Sequence, residues 1–154
     1  MWERLRRFRA LPKPARRIFL RAAVLLPWAA LRLKVSGFRA TKNALLSSAT
    51  DQTLRDNPME INERSAMAAR MVRAAARYGI GNPSCLEESL VLLRILAGEG
   101  IAAQLRIGIK RSAPKFEAHA WVECGGVALN ESQSLHDHYD PFEAEFSNLP
   151  TERS

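Results

Sequence analysis

One cysteine of the chain stands where a helix is predicted to begin. Ser84 and Glu87 have the spacing of a capping box, which predicts that Ser84 is the N-cap and Cys85 the first helical residue. A thiol at this position faces unpaired backbone N–H groups and the positive end of the helix dipole, and both favour thiolate over thiol. The same N–H groups could form part of an oxyanion hole. Cys85 is therefore a candidate nucleophile, although a lone cysteine is more often a small buried apolar residue.

A histidine and two polar residues lie on the strands predicted after this helix. His119 stands in the middle of the strand FEAHAWVEC at 116–124. A histidine fixed on a strand can accept the proton of a cysteine at the start of a packed helix, and the pairing makes chemistry more plausible than either residue alone. The following hairpin returns Asn130 and Glu131 to the neighbouring position, where a third group would orient the imidazole.

Two weaker patterns have simpler interpretations. A short cluster in the tail has the residue types of metal ligands: His136, Asp137, His138 and Asp140. No second half-site accompanies this cluster, so a solvated loop is the simpler interpretation. Cys85 and Cys124 could pair as a disulfide, but Cys124 at a hairpin edge is more simply an incidental thiol. We therefore expect neither a metal nor a cofactor.

The pattern of apolar residues predicts an α+β fold. The helix that Cys85 begins carries leucines on more than one face, which is typical of a buried helix. A half-buried strand is predicted at 101–110, a second at 116–124 and a third at 127–130, with Gly125-Gly126 as a hairpin turn. The tail from Ser132 onward has no clear period. These elements predict helices packed on a small antiparallel sheet.

Helices are also predicted in the first half of the chain. Residues 15–35 have apolar side chains at spacings of three and four, and Pro27 is expected to kink or break the helix. A short helix is expected at 42–48. Asn57 followed by Pro58 marks the start of a further helix, because proline's missing N–H costs nothing in the first turn.

Length and composition indicate one globular domain. The chain has 154 residues, of which 47% are hydrophobic and 25% charged, and this excludes collagen-like, low-complexity and mostly disordered proteins. Two cysteines are too few for a disulfide scaffold and fit a reducing cytoplasm. We expect a basic helical region at 1–57 and a core with the candidate site at 58–154, joined in one compact, cytoplasmic unit.

The formal net charge of +7 is concentrated at the front of the chain. Residues 1–42 contain twelve Lys and Arg and one acid, whereas the remainder sums to −4. A signal peptide is disfavoured because Pro27 and Trp28 interrupt the apolar run and Arg32 follows it. The run of ten uncharged residues at 22–31 is about half the length of a spanning helix.

A basic amphipathic helix of this kind has several possible uses. It could lie on anionic lipid or bind an acidic peptide, although the simplest interpretation is that its apolar face packs on the domain and its arginines are solvated. Because no nucleic-acid motif accompanies the basic stretch, we expect a docking surface for a protein or the inner membrane face, and no nucleic acid as partner.

The order of these elements resembles a known family. The segments CLEESLVLLRILAGEGIAAQLRIGIK and FEAHAWVECGGVALNE resemble the B-type leader peptidases of lasso-peptide biosynthesis in their stand-alone form, which have a papain/transglutaminase-like core. The resemblance covers residues 82 to about 131. It implies that Cys85 is the nucleophile and His119 the general base. Many members have Asn-Asp at the third position; here Asn130 and Glu131 stand there, so Glu131 is preferred and Asn130 is a papain-like substitute.

The resemblance also implies a reaction and partners. A cysteine peptidase of this type cleaves a ribosomally made precursor peptide between leader and core, and an asparagine-synthetase-like cyclase then closes the macrolactam. No segment before Pro58 has the strand pattern of a leader-binding domain, so a separate leader-recognition protein is implied. Two alternatives remain: a transglutaminase-like acyltransferase that uses the same residues, and a non-catalytic basic binding module whose binding would weaken with salt.

Overall fold

The computed structural model describes residues 2–47, 57–110, 117–130, 140–141 and 146–147. Within them the chain forms helices and then strands, in this order: α1 (Trp2–Ala10), α2 (Lys13–Leu46), α3 (Pro58–Tyr78), α4 (Cys85–Gly98), β1 (Gln104–Lys110), β2 (Glu117–Cys124), β3 (Val127–Ala128), β4 (Asp140–Pro141) and β5 (Phe146–Ser147). The order confirms the predicted α+β class. Helix α1 has no counterpart in the sequence prediction, and its Phe8 ring packs on Phe19 of α2 with centroids 5.3 Å apart.

Helix α2 is interrupted at a glycine rather than at its proline. The backbone stays helical through Pro27, whereas Gly37 has φ 75° and ψ 178°. A φ in the left-handed region favours glycine, which has no Cβ, so the chain changes direction there. The Thr41 hydroxyl donates to the Gly37 carbonyl at 2.8 Å and helps to hold the second segment. The break expected at Pro27 is therefore wrong in position, and the short helix expected at 42–48 is the end of this segment.

Helix α3 begins at the predicted residue. The Asn57 side chain accepts a hydrogen bond from the Met59 N–H at 3.3 Å, Pro58 occupies the first helical position, and Gly79 is the C-cap. One face of α3 packs into the core through small and branched residues. Its buried residues are Ser65, Ala68, Ala69, Val72 and Ala75.

Helix α4 occupies the centre of the molecule. Almost every residue of its second half is buried, in an unbroken run followed by three more: Ser89, Leu90, Val91, Leu92, Leu93, Ile95, Leu96 and Ala97. A helix buried on all faces needs neighbours on all faces, and α4 contacts α2, α3, β1 and β2. The prediction of a buried helix is confirmed.

The sheet is antiparallel and has β1 at its centre. Its order is β3-β2-β1-β4, and β5 also pairs with β1. The Gly125-Gly126 turn has φ 57° and 80°, and two positive φ values are what a type I′ hairpin turn requires. Strand β3 is shorter than the predicted 127–130. Strands β4 and β5 lie in the tail, where the sequence shows no period.

A single hydrophobic core joins the helices to the sheet. It takes buried side chains from α2, α3, α4, β1 and β2, so it is continuous across the domain division predicted at residue 57. Glu99, just after α4, ties the helices together. Its carboxylate accepts from Arg64 at 3.2 Å and lies 3.7 Å from the guanidinium of Arg21. Among the described residues, none of the helices has the length and hydropathy required to cross a membrane.

Candidate active site

The capping box holds Cys85 at the first position of α4. The Ser84 N–H donates to Glu87 Oε2 at 2.7 Å, and the Glu87 N–H donates to Ser84 Oγ at 3.4 Å. The predicted cap is confirmed. The N–H groups of Cys85 and Leu86 in the same turn have no acceptor within the helix. The Cys85 thiol is partly buried against the core and therefore stands at the positively polarised end of the central helix.

A row of side chains on one face of β2 holds His119. The half-buried imidazole stacks on Trp121, with centroids 6.3 Å apart and planes 17° from parallel. Trp121 is 2% exposed, and its Nε1–H donates to Glu123 Oε1 at 2.9 Å. The other carboxylate oxygen of Glu123 accepts from Arg106 Nε on β1 at 3.1 Å. The plane of the imidazole is therefore supported by a buried indole that is itself anchored to a salt bridge.

A buried hydrogen bond links the helix that begins at Cys85 to the strand that carries His119. Ser89 Oγ donates to the Ala120 carbonyl oxygen at 3.0 Å, and Ser89 is fully buried. Ser89 lies one helical turn after Cys85 on the same face, about 6 Å further along the axis. Ala120 is the residue after His119. The bond therefore fixes the first turns of α4 beside the middle of β2.

The side chain of Asn130 also joins α4 to β2. Its Oδ1 accepts from the Val122 N–H at 2.8 Å, and its Nδ2 donates to Ser89 Oγ at 2.9 Å. Strand β3 has ended by this point, so the amide of Asn130 takes the place of a strand partner along the free edge of β2. Arg73 of α3 donates to the Asn130 carbonyl oxygen at 2.8 Å and ties the same loop to a third element.

The third member of the predicted triad is not identified by these contacts. In the side-chain amide of Asn130, the oxygen accepts from the backbone of β2 and the nitrogen donates to Ser89. Glu131, the preferred orienter, lies outside the described residues. The orientation of His119 by Glu131 or Asn130 stays a prediction, whereas the position of Asn130 between α4 and β2 is a structural finding.

Burial affects a carboxyl group in the first turn of α4. Half-burial of Glu88 raises its pKa, the nearby Arg73 guanidinium opposes this rise, and Glu87 adds to it. Arg73, which is exposed, also donates to the Asn130 carbonyl oxygen, so one guanidinium interacts with both the first turn of α4 and the end of the hairpin. Neither Arg73 nor Ser89 was among the predicted site residues. The sequence does contain a feature that points to Ser89: it is a hydroxyl residue directly before the mostly apolar segment at 90–97 of a helix predicted to be buried.

The second cysteine lies elsewhere. Cys85 and Cys124 are both free thiols. Cys124 is buried near the hairpin end of β2, where its Sγ donates to the Ala102 carbonyl at 3.4 Å. Burial raises the pKa of this thiol, and a hydrogen bond with Ser65 partly offsets the rise. These surroundings agree with the interpretation of Cys124 as an incidental core thiol.

The remaining candidate residues from the sequence belong to the tail of the chain. His136, Asp137 and His138 lie outside the described residues, and Asp140 begins β4. Within the ranges that the structure describes, no three His, Cys, Asp or Glu side chains are grouped as metal ligands. A pocket lined by Gln104, Arg106, Glu123 and the hairpin glycines lies toward the other end of β2 and includes neither Cys85 nor His119.

The fold and the site define a class of protein. A central helix that begins at a cysteine and packs on an antiparallel strand that carries a histidine agrees with a papain/transglutaminase-like core. The sequence profile of the transglutaminase-like superfamily matches residues 22–144, and the chain belongs to that superfamily.

The chain is also similar to one characterised type of protein within a short segment. The chain is similar to the microcin J25-processing protein McjB of Escherichia coli, with 43% identity over 53 residues. The matched segment is 34% of this chain, and it spans only 24% of the length of that relative. No solved structure gives a significant match. The two matches confirm the predicted fold class and the predicted resemblance to a microcin-processing type of protein.

The position of Asn130 leads to a prediction about stability. Asn130→Ala should lower the free energy of unfolding by about 1–3 kcal/mol, because it leaves the buried Val122 N–H without its acceptor and removes one of the two hydrogen bonds of the Ser89 hydroxyl. Urea unfolding followed by circular dichroism measures this change. Asn62→Ala, on the exposed side of α3, is the matched control and should change stability by less than about 0.5 kcal/mol. A stability of Asn130→Ala equal to that of the control would contradict the structural role.

The two thiols should differ in reactivity. Iodoacetamide should modify native Cys85 before Cys124, because Cys85 is partly exposed whereas Cys124 is 5% exposed and its raised pKa lowers the thiolate fraction near neutral pH. Peptide mapping by mass spectrometry after partial alkylation at pH 7 to 8, roughly the range in which free thiols react, measures both sites. Faster labelling of Cys124 in the folded protein would show that the described packing is incorrect.

Proposed function

We propose that the chain is a cysteine peptidase that removes the leader from a ribosomally synthesised lasso-peptide precursor. Membership of the transglutaminase-like superfamily supports a cysteine-based acyl chemistry. The similarity to a microcin-processing protein supports a peptide precursor as substrate. The observation that carries the proposal is the Ser89–Ala120 hydrogen bond, because it ties α4, one turn after Cys85, to the strand that carries His119.

The first half of the reaction forms a thioester. His119 accepts the thiol proton of Cys85, and the sulfur attacks the carbonyl carbon of the last leader residue. The N–H groups of Cys85 and Leu86 at the start of α4 donate to the developing oxyanion. The peptide C–N bond then breaks, and the imidazolium of His119 gives its proton to the amine of the core peptide, which leaves.

The second half of the reaction restores the enzyme. A water molecule attacks the thioester carbonyl while His119 accepts one of its protons. The C–S bond breaks, the leader leaves as a carboxylic acid, and the sulfur of Cys85 takes the proton back. No cofactor takes part in this scheme. The imidazole must keep one orientation through both steps, and stacking on Trp121 with a hydrogen bond to Glu131 supplies it in this proposal.

The proposal includes partners on both sides of the reaction. A precursor peptide is the substrate, and a separate leader-recognition protein delivers it. The amine freed from the core peptide is the nucleophile that an asparagine-synthetase-like cyclase needs to close a macrolactam. The front of the chain carries most of the positive charge and is the surface on which such assembly is proposed to depend.

Transfer to an amine is the second candidate function, and membership of the superfamily favours it as well. The same Cys85 thioester forms, but an amine attacks it in place of water and the leader ends in an amide. The two reactions differ in mass, so analysis of the leader product distinguishes them. A leader with a free carboxylate supports hydrolysis, and a leader joined to an amine supports acyl transfer.

Substitution of the two cysteines tests the proposed function. Cys85→Ala should lower the rate of leader removal by roughly a thousandfold or more, because the nucleophile is lost. Cys124→Ala is the matched control and should keep most of the activity, since Cys124 lies in the core at the other end of β2. Mass spectrometry follows precursor cleavage in the presence of the recognition protein, and circular dichroism checks that both variants fold. Cleavage by Cys85→Ala at the wild-type rate would refute the mechanism.

A further inference from the structure

Helix α2 carries a second apolar row on the side away from the core. Its buried row packs inward and consists of Ala15, Ile18, Ala22, Leu26 and Ala29. The outward row consists of Leu20 (53% exposed), Val24 (70%), Trp28 (38%), Leu31 (64%) and Val35 (76%). At 100° per residue the centres of the two rows are about 200° apart, so they lie on opposite sides of the helix. We call the outward row the α2 stripe.

The α2 stripe is a continuous surface rather than a set of scattered side chains. Its members follow each other at spacings of four, four, three and four residues, so each lies beside the next on one helical face. From Leu20 to Val35 the stripe is about 22 Å long at 1.5 Å per residue. A contiguous apolar surface of this kind on a folded protein indicates a binding site.

Cations surround the α2 stripe. Lys13 and Arg17 are exposed and continue its line toward the start of the helix. At 100° per residue, Arg21 and Arg32 fall along one border, and Arg16 and Lys34 fall along the other. No Asp or Glu stands between residues 4 and 50, so α2 itself contributes no negative charge, and Glu99 pairs with Arg21 at one border.

Arg32 is held at the edge of the stripe by an aromatic ring. Its guanidinium carbon lies 5.3 Å from the centroid of the Trp28 ring, and its Nε is buried without a hydrogen-bond partner among the described residues. Burial of a donor without an acceptor costs free energy. A negatively charged group brought to this edge could bind the guanidinium and offset part of that cost.

We propose that the α2 stripe docks on an anionic lipid surface, with the helix lying in the plane of the headgroups. An apolar row that contains Trp and Leu and is bordered on both sides by Lys and Arg is the pattern of helices that lie at such a surface. The stripe presents aliphatic side chains, which require no hydrogen-bonding partner, and one indole, whose single N–H suits the headgroup level of a membrane.

Two other occupants fit the charge and chemistry less well. A second copy of this chain would bring two sets of cations together, which is unfavourable without acids between them. An acidic protein would satisfy the cations, but the five positions of the stripe offer it only one polar atom, the indole N–H of Trp28. Because the buried row of α2 faces α3 and α4, docking through the stripe leaves the helix of Cys85 on the side away from the lipid.

Binding to lipid vesicles tests this proposal. The full chain is mixed with vesicles of phosphatidylcholine and phosphatidylglycerol at a ratio of about 7 to 3, and with pure phosphatidylcholine, and bound protein is measured by flotation. Binding should occur on the anionic vesicles, be weaker on the neutral ones and decrease as salt is raised. The double variant Val24→Glu with Leu31→Glu should lower partitioning at least about tenfold.

The matched control introduces the same two charges elsewhere. Met59→Glu with Ile80→Glu replaces residues that are 70% and 85% exposed outside the stripe, so it should keep at least about half of the vesicle binding. Circular dichroism establishes that both double variants fold. Equal loss in both variants, or no binding of the wild-type chain to anionic vesicles, would overturn the proposal.

Two further outcomes distinguish the lipid proposal from a protein interface at the α2 stripe and from the peptidase proposal. The stripe is a protein interface, and the lipid proposal is wrong, under two conditions. The wild-type chain does not bind vesicles, and Val24→Glu with Leu31→Glu loses binding to a purified acidic partner protein while the control variant keeps it. Cys85→Ala should bind vesicles as the wild-type chain does. Failure of the peptidase proposal would therefore leave vesicle binding unchanged, and failure of vesicle binding would leave leader cleavage unchanged.

Discussion

Burial of nearly every residue of α4 from Ser89 to Ala97 is the constraint on which the rest of the structure depends. A helix with apolar residues on almost every face must be covered on several sides, and α4 packs against α2 and α3 as well as against β1 and β2. Any polar atom inside that packing must be satisfied, because an unpaired buried hydroxyl costs about 1–3 kcal/mol. Ser89 meets this requirement through hydrogen bonds with Ala120 and Asn130, and the same bonds fix the position of α4 along β2.

The local parts of the site could be predicted from the sequence, and the bonds between them could not. The capping box at Ser84 and the glycine hairpin depend on residues a few positions apart, so spacing alone identifies them. The role of Ser89 depends on contacts 31 and 41 residues away, which no local pattern contains. The position of Cys85 was therefore predictable, whereas the link that places it beside the strand of His119 required the structure.

Helix α2 shows a different limit of sequence patterns. Apolar spacing identifies the helix but does not say which apolar row is covered: Leu26 is 3% exposed, whereas Leu31 is 64% exposed. The chain breaks at Gly37 and stays helical through Pro27, and because a proline in a helix removes one hydrogen bond that other contacts can offset, Pro27 alone does not fix the position of the break. The uneven charge was visible from the start, and the structure adds that the cations border an exposed apolar stripe.

The most direct test of the central claim is whether Cys85 and His119 act as a unit on the leader. A leader peptide whose terminal carboxyl is replaced by a vinyl sulfone should add once per chain, and peptide mapping should place the adduct on Cys85. The rate should fall at least about a hundredfold in His119→Gln, because the thiol then lacks its base. Addition to Cys124, or an unchanged rate in His119→Gln, would contradict the account.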